Sequence, residues 1–190
     1  MTEREKMLSG ELYDPTDKEL EQLRVNARKL ARKYNSTDED DQEEQAQILR
    51  ELLPATEELP YLQAPVYFDY GCNTFFGRFS SANFNFTCLD VCEIHIGDNV
   101  MIAPDVRIYT ATHSVILSER MPVRSNSKAS ICDTIACPVT IESGVWIGGG
   151  AVILPGVTIG RNSVIGAGSV VTKSIPENSI AVGNPCRVQL

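Results

Sequence analysis

Residues 141–176 read IESGVW IGGGAV ILPGVT IGRNSV IGAGSV VTKSIP, six units of six residues. Each unit opens on a branched aliphatic residue: Ile141, Ile147, Ile153, Ile159, Ile165 and Val171. Val139, Val145 and Val157 stand two places before three of these positions, and Gly148, Gly160 and Gly166 directly after three. An amphipathic helix would need apolar residues near i, i+3, i+4 and i+7, which this run does not supply. Its Val/Ile density, broken by Gly, Asn and Pro, suits short strands separated by turns. A sandwich of short strands has no reason to keep a period of six. The period predicts a coil of three flat faces, about eighteen residues per turn, whose stacked turns bury one aliphatic column. Ile141, Ile159 and a residue near position 177 are expected in register.

The register continues upstream from Ile96 to Tyr109, as IGDNVMIAPDVRIY. Phe76-Gly77, Ala82 and Cys88 read as earlier, degenerate units, and a shift of two places predicts a bulge between Leu89 and Glu93. Asn83 and Asn85 alternate with Phe84 and Phe86, which in a strand would put both amides on one face. Between Tyr109 and Val139 the register fails. An excursion over about 110–138 is too long for an ordinary connection and suits a functional loop. His113 sits at its root, one of two histidines; the other, His95, alternates with Ile94 and Ile96 and is read as outward-facing and inert.

Residues 1–60 read as helical. One short helix closes at Gly10, and a second is expected to be capped by Asp14 with Pro15 as its first residue. A third is expected to be capped by Thr37 and to end before Pro54. The run Asp38–Glu44 reads as a solvated helix start rather than a metal site.

The chain carries 17 Lys/Arg and 25 Asp/Glu in 190 residues, a net charge of -8. Residues 1–60 hold 9 of those bases and 16 of those acids, so the acidity belongs to the helical part. A nucleic-acid partner needs a basic footprint, which is absent. Six cysteines show no paired metal spacing and read as free thiols of a reducing compartment. With no apolar run of membrane length and no basic leader, a cytoplasmic location is expected, with no membrane partner.

The blocks E11LYD14, Y67FDYGCN73, A82NFN85, I108YTATH113, V145WIGGG150 and G183NPCRV188, together with the hexapeptides, resemble the maltose/galactoside O-acetyltransferases. That resemblance spans essentially the whole chain. It implies a left-handed parallel β-helix over 61–190 with a helical cap over 1–60. It further implies a homotrimer with active sites between subunits, acetyl-CoA as co-substrate, a sugar as acceptor and no metal. His113 matches the family's catalytic base. Asn83, Asp90, Arg24, Asp14 and Asp69 match or stand nearest to acceptor-side positions; the cap aspartate itself aligns with Pro15. Trp146 matches a residue beside the pantetheine arm, and Gly149 the position whose N–H faces the thioester carbonyl. Ala167, Thr172, Lys173 and Arg187 match positions toward the coenzyme's far end. Ser114 replaces the usual proline after the histidine, and Val91 stands where galactoside-type members carry a second acid. An amine acceptor and a non-catalytic assembly role are the alternatives.

Overall fold

A computed structural model describes residues 1–121 and 134–189. Three helices precede a β-solenoid: α1 (Glu3–Ser9), α2 (Lys18–Ser36) and α3 (Gln42–Leu52). The first face of the solenoid stacks Tyr61–Leu62, Ser81–Ala82, Met101–Ile102, Trp146–Ile147, Val164–Ile165 and Ile180–Val182. The second stacks Val66–Phe68, Phe86–Leu89, Arg107–Tyr109, Val152–Ile153 and Val170–Val171. The third stacks Thr74–Phe76, Ile94–Ile96, Val139–Ile141 and Thr158–Ile159. All pairings within this stack are parallel, giving a left-handed β-helix: the three-faced coil expected from the period, with the hand implied by the family resemblance.

Pairing in register puts like positions above one another. Ile141, Ile147, Ile153, Ile159, Ile165 and Val171 are at most 1% exposed, and Val139, Val145 and Val157 pack with them. Each coil alone could not enclose such side chains, so its stability comes from its neighbours. Six-residue spacing holds across two of the three corners. The second corner, between the second and third faces, does not keep it. Phe68 to Phe76 and Cys88 to Ile96 are each eight residues, Ile108 to Ile141 spans the excursion, and Val171 to Ile175 is four. The expected shift near Leu89–Glu93 is one of these insertions. The contraction makes Ile175, not a residue near 177, the partner of Ile159.

The first corner follows the turn chemistry of its backbone. Asn85, Asp105, Gly150 and Gly168 occupy the same position in successive coils with φ between 61° and 70°. Asn, Asp and Gly tolerate that left-handed conformation best. Asn83-Phe84-Asn85 is therefore a turn leading into Phe86–Leu89, not a strand with two aligned amides. Phe84 is exposed and Phe86 is fully buried.

The helices close the upper end. Asn35 bridges the top strand edge, donating from Nδ2 to Val66 O at 2.9 Å and accepting from Val66 N at 2.8 Å. Tyr34 Oη donates to Leu62 O at 2.5 Å. These contacts satisfy backbone groups that would otherwise form an open edge. At the other end Arg187–Gln189 turns back antiparallel on Ile180–Val182. Gly10 ends α1 in the left-handed conformation as expected. The other caps differ. Asp17, not Asp14, accepts from Glu19 N and Leu20 N; Asp14 instead accepts from Thr16 N and Oγ1 in the preceding turn. Thr37 terminates α2, and Asp41 caps α3.

The excursion opens as an antiparallel pair, Ala111–Thr112 with Ile135–Ala136, followed by a short helix α4 (Leu117–Arg120). The rest of the expected loop lies outside the described residues. Among those described, five cysteines are free and no helix is long and apolar enough to cross a membrane.

Replacing Ile153 with Ala, at the centre of the column, should cost about 2–5 kcal/mol of stability, and Ile153→Val about 0.5–1.5 kcal/mol. Equilibrium urea unfolding of both variants checks the ordering.

Candidate active site

Most of the sequence-predicted positions fall at or beside two corners. Arg24, Asp69 and Asp90 gather at the second corner with Tyr70, which had no assigned role. Arg24 Nη1 donates to Tyr70 Oη at 2.6 Å and its Nη2 to Pro15 O at 2.6 Å. One guanidinium thus ties the Asp14-Pro15 turn to the solenoid. One helical turn later, Arg28 Nη2 meets Asp69 Oδ1 at 2.7 Å. The ion pair leaves Asp69 only partly open to an acceptor.

Asp90 is fully buried. Its Oδ1 accepts from Tyr70 N at 2.8 Å and its Oδ2 bonds Thr74 Oγ1 at 3.0 Å. Asn73 Nδ2 donates to Asp90 O at 2.8 Å. The inserted residues of two successive coils are thereby knitted together around one carboxyl. Burial pushes the Asp90 pKa up to about 7, against the opposing hydrogen bonds from Tyr70 and Thr74. The neighbouring position, Val91, is also buried and apolar. Neither residue presents a carboxylate to solvent, so Asp90 acts on this corner's shape.

The cap helices reach the excursion through a second apolar cluster of Met7, Tyr13, Leu20, Tyr70, Cys92 and Ala136, with Ala111 packed against it. Burial raises the Tyr13 pKa to about 12 and raises that of Tyr70 as well. Both are neutral phenols at ordinary pH. Thr110, fully buried, donates to Leu89 O at 2.8 Å and accepts from Cys92 N at 2.8 Å. His113 follows the Ala111–Thr112 strand directly and is exposed. Its backbone is therefore anchored by a rigid root, while its imidazole reaches solvent. Tyr13 and Tyr70 lie within quoted motifs, but nothing in the local sequence says that they share one buried cluster.

The first corner holds Gly149 and Ala167 in one column, with Asn83 one place earlier, in the column of Gly148 and Gly166. The N–H groups of Gly149 and Ala167 make no hydrogen bond among the described residues, whereas Gly148, Gly150, Gly166 and Gly168 all donate to neighbouring coils. Two successive coils thus present unengaged donors at one edge. Trp146 lies beside them on the first face, 52% exposed. Asn83 and Trp146 border one depression of about 190 Å³ that also includes Tyr61, Gln63, Met101 and Pro104. Thr172 and Lys173 are exposed at the second corner two coils beyond the excursion, and Arg187 is exposed on the final antiparallel strand. His95 is exposed as expected, but its ring stacks on Phe75 with centroids 4.6 Å apart and its Nε2 lies 2.9 Å from Glu93. Among the described residues no group of three His, Cys, Asp or Glu side chains could hold a metal ion.

A maltose acetyltransferase hexapeptide capping motif matches residues 6–57, and a six-repeat bacterial transferase hexapeptide motif matches residues 138–173. The galactoside O-acetyltransferase of Escherichia coli K12 is 40% identical over 188 residues, 99% of this chain and 87% of that one. The chain belongs to the hexapeptide-repeat acyltransferases related to the maltose and galactoside O-acetyltransferases. Among solved structures of this family, a maltose O-acetyltransferase from Clostridium difficile 630 has a TM-score of 0.89 at 48% identity, covering 100% of this chain and 96% of that one. A galactoside acetyltransferase in complex with coenzyme A has a TM-score of 0.88 at 39% identity, covering 100% and 90%.

A carboxyl whose pKa is raised on folding binds its proton more tightly in the native state, so stability falls as pH rises across the shifted range. For Asp90 that range runs from its ordinary 3.8 to about 7. Asp90→Asn, which keeps an acceptor for Tyr70 N and can donate to Thr74 Oγ1, should remove this component. Unfolding curves between pH 4 and 8 should therefore converge on the wild-type profile at the acidic end and rise above it at the alkaline end.

Proposed function

We propose that this protein transfers the acetyl group of acetyl-CoA to a hydroxyl of a neutral sugar, with His113 as general base. The observation that carries the reading is the division of chemistry between corners. An exposed imidazole stands on a braced root at the second corner, and unengaged backbone donors stand at the first beside an exposed indole. The relatives named as maltose and galactoside O-acetyltransferases supply the acceptor class, and the coenzyme A complex supplies the donor.

A sugar hydroxyl is a poor nucleophile unless its proton is taken as it attacks. Imidazole, with an ordinary pKa near 6.5, can accept that proton near neutrality. His113 removes the proton while the hydroxyl oxygen bonds to the acetyl carbon. The Gly149 N–H meets the negative charge gathering on the carbonyl oxygen, the kind of contact worth about 2.7–4 kcal/mol in a protease. The C–S bond then breaks, and His113 returns its proton to the sulfur. Acetylated sugar and free CoA thiol leave, and no acyl-enzyme is required.

Asn83 offers a donor and an acceptor to the sugar. Asp14, Asp69 and Arg24 form the cap-side border, and Asp90 shapes it from within. Trp146 packs along the pantetheine arm. Ala167 and Thr172 line the coenzyme, and Lys173 and Arg187 face its phosphates.

The assembly is a homotrimer with each groove walled by two chains. In one chain the strand Phe86–Leu89 separates the two corners; Asn83 to Asp90 spans seven residues, up to roughly 23 Å when extended. A neighbour's second corner can bring His113 to the first corner of this chain. Trp146 and Ile180, more than half exposed on one face, supply apolar surface for that neighbour.

His113→Ala should lower kcat by about 10²–10⁴-fold. Because the side chain is exposed, circular dichroism and native mass should remain unchanged. CoA-thiol release with acetyl-CoA and a sugar panel reads the activity, and native mass spectrometry reads the trimer. An unchanged kcat in the variant overturns the base assignment, and a monomeric mass overturns the shared groove.

A further inference from the structure

The depression holding Asn83 and Trp146 does not end at the first solenoid coil. Tyr61 and Gln63 border it and also border a second depression of about 370 Å³ between that coil and helices α2 and α3. At about 190 Å³ the first lies below the ~300–1,000 Å³ usual for ligand sites, and the second lies within it. The shared residues join the two depressions along one surface that runs from Asn83 and Trp146 to the helical cap.

The lining of the cap portion indicates its chemistry. Tyr61 is 66% exposed at the junction and offers an aromatic ring with a polar end. Gln63, Gln42 and Glu39 make no side-chain hydrogen bond among the described residues, and Gln45 uses only its amide nitrogen, toward Asp38 O at 3.2 Å. Amides donate and accept, and a carboxylate accepts. No Lys or Arg lines this portion, so an anionic ligand finds no counter-charge and meets Glu39 instead. Dense hydroxyl-matching groups around an exposed ring suit an uncharged polyol with a flat apolar face.

We propose that the cap groove is a further saccharide subsite, so that the preferred acceptor is a neutral oligosaccharide rather than a single sugar. This rests on the sugar O-acetyltransferase reading given above. The reacting ring lies against Asn83, the next ring crosses Tyr61, and a third reaches Gln42 and Gln45 on α3. Chain length is read by the cap, away from the bond-making atoms.

The test compares glucose, maltose and maltotriose as acceptors in the native protein, in Gln42→Ala/Gln45→Ala and in Tyr61→Ala. Native kcat/KM should rise about tenfold from glucose to maltotriose, mainly through KM, since each added contact of this kind gives a factor of a few. The double variant sits on exposed or half-buried helix positions where Ala is well tolerated. It should bring the ratio below about two while leaving glucose kinetics unchanged, and Tyr61→Ala should weaken maltose and maltotriose alike. Glucose turnover with no length dependence, or equal losses on all three acceptors, overturns the subsite and leaves the acetyltransferase reading standing. Absence of turnover with every sugar overturns that reading instead. A binding arm then decides the subsite: maltotriose titrated against the fluorescence of Trp146, the sole tryptophan. Saturable binding weakened in the double variant supports the subsite, and no binding, or binding unchanged in the variant, overturns it.

Discussion

Vertical registration of one aliphatic column is the constraint on which the rest of this structure depends. A coil contributes only about six buried aliphatic side chains, such as Ile141, Val145, Ile147, Ala151, Ile153 and Val157, too few to pack alone, so every coil must return its apolar residues above those of its neighbour. Any extra residue must be absorbed at a corner without moving the column. The chain concentrates that freedom at one corner. Eight residues join Phe68 to Phe76 and Cys88 to Ile96 there, the excursion leaves there, and Val171 to Ile175 contracts to four. The other two corners keep the period and supply flat, repetitive walls.

Chemical side chains collect where the register is relaxed. The two insertions enclose Asp90 between Tyr70 and Thr74, and the phenol of Tyr70 meets Arg24 from the cap. α1 packs on Ala136 at the root of the excursion, so the cap braces the base of the loop that carries His113. An excursion emerging from a bare hexapeptide corner would have no such brace. The helical cap therefore serves three purposes: it closes the top strand edge through Asn35, fixes the loop root and forms one side of the upper groove.

The repeat was legible because a six-residue period is a local property: Ile141 through Val171 are buried as the spacing requires. The two-residue insertion was legible for the same reason, as a break in that period. Local rules failed where two signals competed. Asn83 and Asn85 alternate with aromatic residues as a strand would, yet the corner demands a left-handed residue at Asn85, and that demand comes from the coil below. Asp14 before Pro15 has cap chemistry, but the Arg24 contact to Pro15 O holds that segment as a turn, and Asp17 starts the helix.

Sequence alone determined the solenoid, its aliphatic column, the position of the excursion and the residues that match a known acetyltransferase pattern. Spacing and motif are carried by neighbours along the chain. Tertiary structure decided which of those residues share a surface. It buried Asp90, paired Asp69 with Arg28, left the Gly149 and Ala167 N–H groups unengaged among the described residues, and joined two depressions through Tyr61 and Gln63. Each of these depends on which coil lies above which, and the variable corner makes that stacking impossible to count from a single local window.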